Sequence, residues 1–257
     1  MSKFELQNKN IVITGASSGI GYGLLQELSK INGTKIVAAA RNCDSIKKEN
    51  LSNVTCVEYD LSSQTNIDNM LHDAIEILGN IDVFFANAGF AYYEKMQTAD
   101  WAHIQNIFDL NVFSPIYTLQ KLNDLLPQAS IKYVVTDSAL AKAALPGFAL
   151  YSATKFAVDG FVQAYEYECP KNIHITTIYP VATKTNFFKR AADAAPLPFP
   201  TQTTQQVVHA ILKGLHKKRI YPLAAFGFLN WLWSAFPFFK SGYLKLENNK
   251  FQKWLNK

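Results

Sequence analysis

The sequence predicts a doubly wound α/β domain, a parallel sheet of about seven strands with helices on both faces. Three observations predict it. Short apolar, β-branched runs alternate with longer stretches of helical period along the chain. The runs lack the apolar–polar alternation of half-exposed strands, as strands covered on both faces do. No composition break or internal repeat divides the 257 residues, so 1–257 read as a single domain.

The strand-like runs are residues 11–14, 35–40, 53–58, 82–86, 132–136 and 173–179, with a weaker one at 219–221. Helical periodicity covers 20–31, 65–78, 101–126 and 151–167. Late in the chain, residues 191–200 form a proline-rich loop, and Thr203-Thr204-Gln205-Gln206 has capping-box spacing for a helix reaching about residue 215. Coming after the sixth strand, that loop falls at the carboxyl edge of the sheet, where open α/β folds bind ligands. Residues 187–206 are therefore a candidate substrate lid.

Composition narrows the function classes. Hydrophobic residues make up 49% and charged residues 18%, which excludes wholesale disorder. The three cysteines, Cys43, Cys56 and Cys169, are an odd number with no close pair. That argues against a disulfide framework or a zinc module and suits a reducing, intracellular compartment; no metal site is predicted. The polar stretch Ser2 to Asn10 carries no signal-peptide pattern. The expectation is a soluble, cytoplasmic protein.

Thr14-Gly15-Ala16-Ser17-Ser18-Gly19-Ile20-Gly21 follows an apolar strand and opens a helix. Glycines there permit a tight turn and close approach of a pyrophosphate, and the helix N-terminus offers N–H donors and a positive dipole end. A bare strand-to-helix connection is the plainer alternative. After the second strand come Arg41 and Asn42 rather than an acid. An acid would bond a ribose 2′-hydroxyl, whereas an arginine suits a 2′-phosphate, so NADP is favoured over NAD. A solvated strand-end arginine is the alternative. Asp60 and Leu61 follow the third strand, to flank an adenine or, for Asp60, to cap a helix. Asn87-Ala88-Gly89 ends the fourth strand, as ligand contact or simple turn.

Ser138 ends the fifth strand, and Tyr151 and Lys155 lie four apart at a helix start, hence on one face. An ordinary tyrosine, with a pKa near 10, is a poor base at neutral pH. A nearby ammonium and a helix N-terminal dipole would draw it towards neutrality. Tyr151 could then exchange a proton with a carbinol or carbonyl oxygen that Ser138 holds.

The run from Thr14 to Gly21, Asn87-Ala88-Gly89, Asn111, Ser138 and Tyr151-Ser152-Ala153-Thr154-Lys155 together resemble the short-chain dehydrogenase/reductase family, over roughly residues 7–215. The resemblance implies a Rossmann-type sheet, a nicotinamide cofactor and hydride transfer at a carbonyl or alcohol carbon. It implies Tyr151 as general acid/base and Lys155 as the residue that binds the nicotinamide ribose and tunes the tyrosine. Ser138 orients the substrate, and Asn111 holds a water in a proton relay; an amide capping a broken helix is its structural alternative. Pro180, Val181, Thr183 and Thr185 would meet the nicotinamide side. Valine at 181 replaces the family's usual glycine and restricts the local backbone. A homodimer or homotetramer is also implied, through the long helices around 111–126 and 151–167.

Residues 222–257 form an aromatic and basic extension. Residues 223–239 hold seven aromatics: Phe226, Phe228, Trp231, Trp233, Phe236, Phe238 and Phe239. From Lys213 onward nine basic residues face one acid, Glu247, so this end carries +8 of a chain whose net charge is +5. The apolar run is too short for a span of about 20 residues and contains Pro237. Three readings stay open: packing on the body or a partner subunit, a wall for a lipophilic substrate, and contact with a membrane surface. No nucleic-acid motif is present and no nucleic-acid partner is expected. The leading expectation is an NADP-preferring oxidoreductase for an apolar ketone or aldehyde and its alcohol. Its rivals are a non-catalytic nucleotide-binding scaffold and a hydrolase, the latter needing a histidine base beside Ser138 or Tyr151.

Overall fold

The structure, a computed structural model, describes residues 5–193, 195–235 and 238–256, with the backbone alone at 234, 235, 238 and 239. Ser2, Lys3 and Phe4 of the N-terminal stretch, Ala194 of the proline-rich loop, Phe236, Pro237 and Lys257 lie outside the described residues. In chain order the elements are β1 (Asn10–Thr14), α1 (Gly19–Leu28), β2 (Lys35–Ala40), α2 (Asp44–Lys47), β3 (Val54–Glu58), α3 (Gln64–Leu78) and β4 (Val83–Ala86). Then follow α4 (Trp101–Phe108), α5 (Ser114–Leu125), β5 (Ile131–Thr136), α6 (Ala149–Tyr165), β6 (Ile173–Ile178), β7 (Ala182–Thr183), α7 (Phe187–Ala191) and β8 (Thr201–Gln202). The chain closes with α8 (Thr204–Gly214), β9 (Arg219–Ile220), α9 (Ala224–Ala235) and α10 (Phe238–Leu255).

The main sheet has the order β3-β2-β1-β4-β5-β6-β9, with every pairing parallel. Right-handed crossovers put helices on both faces, so each inner strand is buried twice. Val12, Phe84, Tyr133 and Ile175 face a core shared with α3, α5 and α6. Ile13, Phe85, Val134 and Ile178 face the other, under α1 and α8. β3, at the sheet edge, departs from the double burial expected of every strand: its residues are half-buried or exposed. The order reverses between β1 and β4, so the crevice at their carboxyl ends is where a ligand enters.

The 101–126 stretch is not one regular helix. Between α4 and α5 the backbone widens into a π-turn at Asp109–Phe113, which carries Asn111 inward. The capping box before α8 forms as the spacing predicts: Thr203 Oγ1 accepts from Gln206 N–H and Gln206 Oε1 accepts from Thr203 N–H. Residues 182–183 and 201–202 pair as a small second sheet that closes the base of the 187–206 segment.

The cysteine reading needs correction. Cys43 and Cys56 form a disulfide with Cα atoms 6.0 Å apart, and only Cys169 is free. Thirteen residues separate them in sequence, but β2 and β3 pair in register with Ala38 beside Cys56, and the turn after β2 brings Cys43 back over it. The argument from cysteine spacing to a reducing compartment therefore falls.

The tail's aromatic block folds as α9 and α10 against the body. Phe226 and Phe251 are buried, whereas Phe228 and Trp231 are exposed. Among the described residues no helix is long and apolar enough to cross a membrane.

Candidate active site

The glycine turn is shaped by close approach. Gly15 has φ +66°, and a Cβ there would stand 2.9 Å from Ala88 Cα. A Cβ on Gly21 would overlap the Gly15 carbonyl, so this helix position admits only glycine. Ser18, the N-cap of α1, has extended backbone and leaves its side chain uncommitted to the cap, so the first N–H groups of α1 face the crevice unsatisfied. Thr14 is buried beneath them: its Oγ1 donates to Phe85 O and accepts from the N–H groups of Asn87 and Ala88 at 2.9 and 3.0 Å. Asn87 Nδ2 donates to Thr14 O, tying β4 to β1.

These groups open on a cavity of about 470 Å³, within the range of small-molecule and cofactor sites. Gly15, Ser17, Ser18, Gly19 and Ile20 line one end, with Arg41, Asp60 and Leu61 beyond them. Asn87, Ala88 and Gly89 line its middle, and Ser138, Tyr151, Lys155, Pro180, Val181, Thr183 and Thr185 line the far end. Four predicted residues sit outside the lining. Thr14 and Gly21 shape the turn from behind, Asn42 is turned onto Asp44, and Asn111 stands one layer back. Asp60 does not cap a helix: its Oδ1 accepts from Ser62 N–H and Oγ, and Ser63 is the N-cap of α3.

Tyr151 and Lys155 share a face of α6, the Nζ 5.7 Å from the Tyr151 ring centre. Lys155 Nζ donates to Thr136 O at 2.8 Å, and Ser138, two residues on, accepts from Leu140 N–H at 3.1 Å. Asn111 accepts from Phe90 N–H and donates to Phe90 O and Thr154 Oγ1, at 2.8–3.1 Å. Its amide thus bonds no group of the widened helix itself; it ties that turn to the loop after β4 and to the turn of α6 that carries Tyr151.

The electrostatics reverse one expectation. Burial pushes the Tyr151 phenol well above its ordinary range; the Ser138 hydroxyl pulls it back and the Asp137 charge adds to the rise. Burial also lowers Lys155, against the charge of Asp137. Desolvation of the buried phenol is the largest of these effects.

Val181 keeps a backbone outside the left-handed region, and its side chain is buried with Ala139 against Phe226 of α9. Residues the sequence reading did not single out complete the far end: Phe90, Tyr92, Leu140, Phe187 and Phe188, with the cationic Arg190. Phe187 stands edge-on to Tyr151 at 5.5 Å, and Tyr92 accepts from Asn106 Nδ2. No local motif marks them, since loops and α7 assemble this wall. No histidine is among the lining residues; His103 stacks on Tyr92 and bonds Glu94. The hydrolase reading therefore lacks its base.

A family model described as short chain dehydrogenase matches residues 9–195. Uncharacterized oxidoreductase YbbO of Escherichia coli K12 is 30% identical over 186 residues, covering 71% of this chain and 69% of that protein. A 3-ketodihydrosphingosine reductase of Mus musculus is 27% identical over 233 residues, 81% of this chain and 70% of that one. Among solved structures, a short chain dehydrogenase/reductase from Burkholderia phymatum in complex with NAD aligns with a TM-score of 0.79 at 18% identity, over 89% of this chain and 94% of that one. Another, from Burkholderia cenocepacia in complex with NADP, aligns at 0.78 and 22%, over 94% and 99%. The chain belongs to the short-chain dehydrogenase/reductase family, whose members are NAD(P)-dependent oxidoreductases.

Proposed function

We propose that this protein is an NADP-preferring oxidoreductase that interconverts an apolar ketone or aldehyde with its alcohol, using Tyr151 as general acid/base. The observation that carries the reading is the convergence of Ser138, Tyr151 and Lys155 on one end of a cavity whose other end is a glycine turn and a helix N-terminus. The glycine turn fits a dinucleotide: side chains are sterically barred from Gly15 and Gly21, and free N–H groups face the crevice. Ser17, Ser18, Gly19 and Ile20 would hold the pyrophosphate, Asp60 and Leu61 the adenine, and Thr183 and Thr185 the nicotinamide side. Arg41, lining the adenosine end directly after β2 where an acid would select NAD, favours the 2′-phosphate of NADP.

When bound, the dinucleotide supplies or accepts the hydride. The chain's own groups manage the proton. Ser138 Oγ holds the substrate oxygen next to the Tyr151 hydroxyl, which gives its proton in reduction and recovers one in oxidation. Lys155, fixed on Thr136 O, offsets the charge left on the phenolate. A phenol raised by burial carries its proton at neutral pH, the state that donates in reduction.

The apolar wall of Phe90, Leu140, Phe187 and Phe188 supports a lipophilic substrate, the class to which the substrate named by the 3-ketodihydrosphingosine reductase relative belongs. Residues 187–206 are the lid over it. Phe113 and Phe156, exposed on the helices predicted to pair, support a homodimer or homotetramer. Exposed Phe228 and Trp231 on α9 support contact with a membrane surface by a cytoplasmic protein.

Titration with NADPH and NADH, followed by quenching of tryptophan fluorescence, tests the reading before a panel of decanal, 2-decanone and 3-ketodihydrosphingosine. Tight binding of NADPH alone, then its consumption with the lipophilic carbonyls, is expected. Equal binding of both cofactors removes the Arg41 assignment, and binding of neither removes the enzyme reading.

A further inference from the structure

Asp137 lies between Thr136, which anchors Lys155, and Ser138. It is 2% exposed, and neither carboxyl oxygen has a hydrogen-bond partner among the described residues. It lines the same cavity wall as Ser138, Tyr151 and Lys155. A carboxyl group enclosed without a hydrogen bond is costly to ionise unless an opposite charge stands near.

Two cations face it, and one is already engaged. Lys142 Nζ lies 2.6 Å from Asp159 Oδ2, and the other oxygen of Asp159 accepts from Tyr179 OH at 2.6 Å. Lys155 has only the neutral Thr136 carbonyl as hydrogen-bond partner among the described residues. No direct ion pair joins Asp137 to Lys155, so their charges act on each other at longer range. The titratable groups around Asp137 are Tyr151, Lys155 and Asp159 on α6, Lys142 after β5, Tyr179 at the end of β6, and Tyr221 after β9.

We propose that Asp137 is a positioning residue for proton transfer, the counter-charge that keeps Lys155 an ammonium inside the closed site. The proposal rests on the Tyr151–Lys155 reading above. Burial pushes Lys155 down, and Asp137 is the charge that opposes it. Burial pushes Asp137 up, and Lys155 is foremost among the charges that oppose that. Each group thus supports the ionised form of the other.

The test compares wild type with Asp137→Asn, which keeps the shape, and Asp137→Ser, which keeps only a small polar group. Two readouts are taken across pH: kcat for NADPH-dependent reduction of 2-decanone, and the side-chain resonance of Lys155 in isotope-labelled protein saturated with NADP, identified by its loss in Lys155→Met. In both variants the Lys155 titration and the high-pH fall of kcat are expected to move down together by about one pH unit. Titrations that coincide with wild type overturn the proposal. So does a kcat lowered by one factor at every pH with the lysine resonance unmoved, which marks a purely structural role. If wild type reduces no carbonyl, the functional reading fails, and the lysine titration still decides the electrostatic one.

Discussion

The Lys155 ammonium donates to the Thr136 carbonyl at 2.8 Å, so the helix bearing Tyr151 is pinned to the strand end bearing Ser138. The hydroxyls of Tyr151 and Ser138 therefore belong to two elements that a third side chain joins. Lys155 fixes geometry as well as charge, and the two contributions separate only when the tyrosine itself is changed.

Tyr151→Phe removes the transferable proton and keeps the ring against Phe148 and Phe187. Turnover should fall about a hundredfold to ten-thousandfold. NADPH affinity, read by fluorescence quenching, should stay within about threefold, because the lysine and the glycine turn are untouched. Unchanged turnover would remove Tyr151 from the proton-transfer step.

Arg41 directly follows β2 and lines the cavity beyond the glycine turn, with Asn42 rather than an acid next in sequence. Arg41→Ala should weaken NADPH about 10- to 100-fold, the worth of a charge-assisted hydrogen bond, while leaving NADH nearly unchanged. Isothermal titration with both cofactors measures this. Equal losses for the two would mean that Arg41 acts on something other than the 2′-phosphate.

Much of this fold and site is readable in the sequence because its signals are local. Periodicity marks six of the strands through the runs they share with β1 to β6, and the glycine turn and the Tyr151–Lys155 spacing each lie within one element or junction. What is illegible depends on distant segments meeting. The Cys43–Cys56 disulfide arises from strand register, and the apolar wall at Phe90, Phe187 and Phe188 joins a loop to α7. The raised phenol of Tyr151 follows from enclosure, which spacing on a helix does not report.

Lys132 sits in the middle of the sheet, between Val83 and His174, and is 7% exposed. Burial lowers its pKa from 10.5 to about 8. Between those values the unfolded chain binds the proton that the folded one has released, so stability rises with pH across that window. Below pH 8 both states are charged and the full penalty remains. Lys132→Met should therefore stabilise the protein at pH 7 by about 1–3 kcal/mol, raising Tm by about 2–4 °C per kcal/mol. The gain should shrink as pH climbs from about 8 to 10.5, and thermal melts at pH 7 and above pH 10.5 check the sign.

Phe226 decides what the aromatic tail does for the enzyme. Its ring is 3% exposed and packs on Val181 and Ala139, with Trp233 at 6.0 Å and Tyr221 at 6.3 Å. Ala139 follows Ser138 and donates its N–H to Pro180 O at 2.8 Å, so the ring backs both the serine and the loop at 180–181. α10 braces the 187–206 segment in the same way, through Tyr243 OH to Phe199 O and Trp254 Nε1 to Asp193 O. Phe226→Ala should cost about 3–5 kcal/mol of stability through the cavity left behind. Because Phe226 is not in the cavity wall, its effect on chemistry can come only through Val181 and Ser138: KM for the cofactor should rise and kcat fall together. An aromatic block that serves only to touch a membrane predicts the opposite, an unchanged Tm and unchanged kinetics with weaker vesicle binding. A melt of Phe226→Ala beside sedimentation with anionic vesicles separates the two, and a Tm equal to wild type would make the tail an appendage instead of a support behind the active site.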